Sequence, residues 1–124
     1  MKEDFGFKKL LVWQKSIGLF EAINSVIDSL EKVKSYRLQE QLFACTSSIS
    51  MNIAEGYGRN SKKEFIYFLF VSRGSLYEMV TLIQIHRKMK LINEIEYNSI
   101  NNKALELAKM LNRFISKIKL DNNL

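Results

Sequence analysis

The two side chains best suited to covalent or proton-transfer chemistry, histidine and cysteine, each occur once, as His86 and Cys45. Metal sites and acid–base pairs need several donors converging on one point. A di-metal helical bundle would draw on Glu-x-x-His pairs, and the sequence contains none. His86 falls on an apolar helical row and reads as a packed or hydrogen-bonded bundle residue. Cys45 lies within Ala44-Cys45-Thr46-Ser47-Ser48 and reads as a small buried hydrophobe, not a nucleophile. The Gly56-Tyr57-Gly58 turn could cradle a phosphate, but it lacks the Gly-Lys-Ser/Thr of a P-loop, so it reads as a turn between helices. These residues point to no enzyme, no metal and no cofactor.

What remains able to act is charge. The chain carries 19 Lys and Arg against 13 Asp and Glu, a net charge of +6. Such an excess suits a polyanionic partner, and it also suits a merely soluble surface. Arg59, Lys62, Lys63, Arg87, Lys88 and Lys90 gather near the two ends of one long apolar segment, and Lys109, Arg113 and Lys117 recur every four residues further on. These nine are the candidate nucleic-acid contacts. No motif that reads bases accompanies them, so binding would follow charge and shape. A second polar set, Gln41, Asn52, Glu55, Arg73 and Glu78, sits on or beside apolar helices. Buried polar groups need partners, so this set is expected to form a network fixing helix register, with Arg73 paired to Glu55 or Glu78.

The elements that position these residues are helices. At 124 residues, 47% hydrophobic and without proline, the chain suits one all-α domain, 1–124, with long uninterrupted helices. A lone cysteine rules out an internal disulfide framework and suits a reducing compartment. Residues 1–9 lack a signal-peptide core, and the longest apolar run, Phe65 to Val71, is too short to span a bilayer. A cytoplasmic protein with no membrane partner is expected.

A first helix is predicted over 8–30. Its main stripe is Leu10, Trp13, Ile17, Phe20, Ile27 and Leu30, with Leu19, Ile23 and Val26 widening it. Gly18 inside it suggests close approach of another helix. Residues 31–35 read as a loop. A second helix over 36–55 carries Leu38, Leu42, Cys45, Ile49 and Ile53, and its small central residues call for tight packing against a bulky neighbour. Gly56 is expected to stop it, in the left-handed conformation that glycine enters freely. Ser61 and Glu64 form a capping box opening a third helix over 62–89. Its main row is Phe65, Phe68, Ser72, Leu76, Met79, Ile83 and His86. A second row includes Ile66, Phe70, Tyr77 and Val80, and is expected to form an interface between subunits. Asn93, with Glu96 three residues on, caps a fourth helix bearing the seam Tyr97, Ile100, Ala104, Leu107, Leu111, Phe114 and Ile118. Short links between four helices predict an up-down-up-down antiparallel bundle.

Several runs carry a family resemblance: Leu11-Val12-Trp13-Gln14-Lys15, Gln41 with Ser48-Ile49, Asn52-Ile53-Ala54-Glu55-Gly56-Tyr57-Gly58-Arg59, Glu64-Phe65, and Arg73-Gly74-Ser75-Leu76-Tyr77-Glu78. The chain resembles the small four-helix-bundle proteins encoded within intervening sequences of bacterial 23S ribosomal RNA genes. That family is similar to the accessory variability determinant of diversity-generating retroelements. The resemblance implies a bundle that assembles as a ring, commonly a pentamer, with no enzyme activity. For the retroelement relatives it implies binding of nucleic acid and of a reverse transcriptase. Phe43 and Ala44 stand where the family usually has an arginine pair, removing two cations from a natural phosphate contact. Ser50 stands where proline is common, which favours a straighter second helix.

Two functional expectations follow. One is a ring-forming homo-oligomer that binds RNA or DNA through repeated basic patches, where many weak contacts add as avidity. The other is an adaptor that docks a protein partner such as a reverse transcriptase.

Overall fold

A computed structural model describes residues 3–30 and 32–124, and the side chains of all of these except 32–35. A 3₁₀ turn, Gly6–Lys9, leads into four helices: α1 (Leu11–Ser29), α2 (Lys32–Tyr57), α3 (Lys62–Lys88) and α4 (Glu94–Asp121). No strand occurs among the described residues. Among the described residues, contacts run α1–α2, α2–α3, α3–α4 and α4–α1 with none across either diagonal, so the helices sit at the corners of an antiparallel four-helix bundle. Of the loop expected at 31–35, Glu31 lies outside the described residues and α2 already begins at Lys32. Residues 1 and 2, from the stretch read as lacking a signal-peptide core, also lie outside them.

Local signals account for the boundaries. Ser61 caps α3 by accepting from the Glu64 amide at 3.1 Å. The expected reciprocal bond is replaced, because the Ser61 hydroxyl donates to the Glu64 carboxylate at 3.2 Å. Asn93 and Glu96 form a complete capping box, with bonds of 2.8 and 3.1 Å. α3 ends where Lys90 turns left-handed at φ 59°, and the Leu91 amide reaches back to the His86 carbonyl.

One core joins all four helices. It is built from Leu19, Ile23, Leu42, Ile49, Ile53, Leu69, Leu76, Met79, Ile83, Ile100, Leu107 and Leu111, all fully buried. In α1 the deepest line is Val12, Ser16, Leu19, Ile23 and Val26. The stripe expected as central, from Leu10 to Leu30, is only half-buried and flanks that line on the α2 side, where Phe20 meets Phe43 edge-on at 5.3 Å. α1 touches both α2 and α4, so the direction between its two neighbours is the one most shielded. α3 holds a window with mean hydropathy 1.3 and is long and apolar enough, by length and composition, to cross a membrane. That revises the expectation drawn from the run Phe65 to Val71. Here α3 packs against α2 and α4 and buries one side in the core.

Two glycine expectations are corrected. Gly56 lies inside α2 with negative φ, as do all the described glycines. A Cβ there would stand 2.7 Å from Phe68 Cβ and 3.0 Å from a Phe65 ring carbon, so Gly56 is needed for the close approach of α3. Gly18 has nothing within 4 Å, so no helix presses on it. The small stretch of α2 faces α3, where it shares a groove with Gly74 and Ser75 as well as with the bulkier Tyr77 and Leu82. Ser48 and Ser75 hydroxyls bond at 2.9 Å, and Ser72 donates to the Ile49 carbonyl at 2.8 Å.

Candidate nucleic-acid interface

The antiparallel order brings the starts of α1 and α3 and the ends of α2 and α4 to one end of the bundle. Aromatic contacts tie that end together. Tyr57 at the end of α2 lies against Gly6 and meets Phe65 edge-on at 6.1 Å, and Phe65 meets Phe114 of α4 at 5.7 Å. Tyr57, in the Gly-Tyr-Gly run, therefore acts as a clasp for the 3₁₀ turn.

Cations from four segments collect at this end. Some are neutralised locally: Lys8 by Asp4 at 3.0 Å, Arg59 by Glu55, Lys15 by Glu106 at 3.2 Å and Lys117 by Asp121 at 3.1 Å. Arg59 also lies 4.7 Å from the Phe68 ring centre. The Phe5 amide, and then Lys8, hold the Asp4 carboxyl below its ordinary range. Lys9, Lys62, Lys63, Arg113 and Lys119 are exposed there and, among the described residues, bind no carboxylate.

The opposite end of α3 lies about 40 Å away along a helix of 27 residues. There Arg87 grips Glu94 through two bonds, 2.8 and 3.0 Å, with Tyr97 beneath its guanidinium at 4.3 Å. That hydrogen bonding raises the Arg87 pKa further. At that end Lys88, Lys90 and, near the start of α2, Arg37 are exposed without a carboxylate, again among the described residues. The nine candidate cations thus do not form one patch. Arg59, Lys62 and Lys63 join Arg113 and Lys117, Lys109 stands one turn before Arg113 on α4, and the Arg87–Lys90 group is separate.

The expected polar network is not present as drawn. Asn52 bonds its own helix, donating to the Ser48 carbonyl and hydroxyl at 2.8 and 2.9 Å. Glu55 takes Arg59. Gln41 and Glu78 line an open groove between α2 and α3 with Ala44, Ser48, Gly74 and Ser75. Arg73 pairs with neither glutamate and donates to Asn112 of α4 at 2.9 Å. Arg73 and Glu78 are five residues apart, roughly 140° around a helix, so they face different neighbours.

The expected interface row is also divided. Ile66 is 6% exposed and belongs to the core of the single chain, and Val80 packs against it. Phe70 and Tyr77 are exposed, at 36% and 50%. Their rings carry cations: Arg73 lies 4.8 Å from the Phe70 centre and 5.9 Å from that of Tyr77, while Lys119 lies 5.1 Å from Phe70. Lys119 and Asn112 escaped the sequence reading. The trace available was the spacing of Phe70, Arg73 and Tyr77 on one side of α3, but the register of α4 against it is tertiary.

His86 and Cys45 are buried as expected. His86 Nδ1 lies 2.6 Å from the Leu82 carbonyl, and its Nε2 has no partner among the described residues. Cys45 donates weakly to the Leu42 carbonyl, and burial pushes its thiol above the ordinary value. Among the described residues no group of three or more His, Cys, Asp or Glu could hold a metal ion.

The fold and its surface thus define an antiparallel helical bundle with a cation-rich end and no assembled catalytic constellation among the described residues. The family model for the 23S rRNA-intervening sequence protein matches residues 8–113, and the chain belongs to that family. A crystallised protein of unknown function from the S23 ribosomal protein family of Bacteroides thetaiotaomicron is similar in fold. The two align with a TM-score of 0.76 at 24% identity, over 85% of this chain and 98% of that one. No curated protein matches.

Proposed function

We propose that this chain is a non-enzymatic, cytoplasmic, self-assembling bundle that binds nucleic acid through phosphate contacts, with little sequence preference. One observation carries the reading. Lys9, Lys62, Lys63, Arg113 and Lys119 come from separate segments to one end of the bundle, with no carboxylate partner among the described residues. Arg73, neutralised by no carboxylate there either, adds to it from the adjoining face. Cations free of ion pairs are the ones that release counterions when phosphate arrives.

Self-assembly is supported by the outward side of α3, where Tyr67, Val71 and Ile85 are exposed along the same helix face as Gly74, and by exposed Met51 on α2. A head-to-tail contact that closes makes a ring, and five copies follow from the family resemblance. A ring repeats the cationic end around its axis and multiplies weak contacts into avidity.

Titration of a labelled RNA or DNA oligonucleotide across a salt series tests the binding. Affinity falls steeply as salt rises, and Lys62→Gln with Lys63→Gln flattens the slope. Retention of affinity at high salt, or no binding at all, defeats the reading. A partner captured at high salt through the apolar face instead supports an adaptor, such as one docking a reverse transcriptase. Sedimentation at micromolar concentration reads the assembly, and a single-copy species removes it.

A further inference from the structure

We infer that the crease between α3 and α4 is a stacking platform for single-stranded nucleic acid. The inference rests on the nucleic-acid reading above and goes further by naming the form of the ligand and the groups that hold its bases.

Three planar groups stand in file on α3. Phe70, Arg73 and Tyr77 occupy successive turns, and Phe70 and Tyr77 lie about 10 Å apart along the axis, roughly three base-stacking steps. Arg73 is held between the two rings, 4.8 and 5.9 Å from their centres, and its position is set by the bond to Asn112. From α4, Lys119 leans over Phe70, with its ammonium 5.1 Å from the ring centre. Lys109 is exposed one turn from Asn112. The crease therefore alternates aromatic or guanidinium planes with cations, and Asn112 retains amide hydrogens to donate.

Bases offer π-faces to such planes whatever their sequence, and the adjoining phosphates meet Lys119 and Lys109. A second copy of this chain is a poorer occupant. Arg73, Lys119 and Lys109 bring no carboxylate of their own among the described residues, so a dry contact would strip water from three cations at a cost that phosphates meet more readily. A duplex is poorer too, because its bases are already stacked and only its phosphates are available. Single strands satisfy both halves of the crease.

The test compares a short fluorescein-labelled single strand with its duplex, by anisotropy, on the full chain. Phe70→Leu and Tyr77→Leu each remove a ring while keeping an apolar side chain. Each is expected to weaken single-strand binding roughly fivefold or more and to leave duplex binding unchanged. Tyr77→Phe keeps the ring and the affinity. Lys63→Gln, outside the crease, weakens both ligands alike. Circular dichroism confirms that each variant keeps its helices, and a leucine variant that unfolds is replaced by its methionine counterpart. Unchanged single-strand affinity in both leucine variants, with binding still salt-dependent, overturns the stacking platform and leaves the phosphate reading standing. Altered sedimentation without altered affinity overturns it in favour of a contact between copies. A wild-type chain that binds neither ligand removes both readings together.

Discussion

α3 meets its two neighbours in opposite ways. Toward α2 the contact is built from small, neutral groups. Gly56 admits the Phe65 and Phe68 side chains, Ser48 bonds Ser75, and Ser72 bonds the Ile49 carbonyl. Toward α4 the outer edge is built from large and charged groups, with Phe70, Tyr77, Arg73 and Lys119 lying over one another. The first seam closes by backbone approach beneath an open outer groove, and the second is covered by side chains that remain in water. Apolar residues on more than one side of a helix therefore do not by themselves require a second subunit. The chain shields part of that excess with its own cations, whose stems and heads lie on aromatic faces. The outer face around Gly74, where such cover is thinner, is the better place to seek a copy.

This contrast predicts unequal sensitivity to substitution. The largest effect belongs to the closed seam. Gly56→Ala places a Cβ 2.7 Å from Phe68 Cβ and costs about 1–3 kcal/mol, read as a fall in Tm of several degrees. Arg73→Ala in the open crease costs under about 1 kcal/mol, because its contacts are solvated. Equal losses at the two sites would erase the distinction.

Ser72→Ala comes next. It removes a buried bond across the seam and costs about 0.5–1.5 kcal/mol in urea unfolding. Lys90→Gly relieves a left-handed lysine and stabilises by about 1 kcal/mol while deleting a cation at the far end. If phosphate binding belongs to the other end, affinity does not change. Gly18→Ala and Gly74→Ala, both in open space, each stabilise by about 0.5–1 kcal/mol. If copies meet at Gly74, only the second also shifts sedimentation.

The smallest effect is pH-dependent. The Cys45 thiol has its pKa raised above 9.0 by burial, so it contributes stability that is fully present below the unfolded thiol's pKa and is lost as pH rises through the folded one. The urea midpoint of the wild type therefore falls more steeply above about pH 9 than that of Cys45→Ala.

Much of the fold was legible before any coordinates because its signals act within one or two helical turns. Ser61 and Asn93 marked the helix starts, the row of α3 from Phe65 to His86 marked its buried side, and the Asn52–Arg59 run marked the family. The site was legible only as a list of cations. Arg87 and Lys88 are neighbours in sequence, yet one is held by Glu94 and the other is not.

Sequence alone determined that there are four helices, how they alternate and which residues carry charge, since each depends on chain-local spacing, although the starts of α1 and α2 were not fixed by it. Tertiary structure alone decided that Gly56 serves close packing, that Arg73 turns to Asn112 instead of Glu78, and that Lys119 reaches Phe70. Those meetings depend on the rotation and axial offset of one helix against another, and the packing of the whole core sets both.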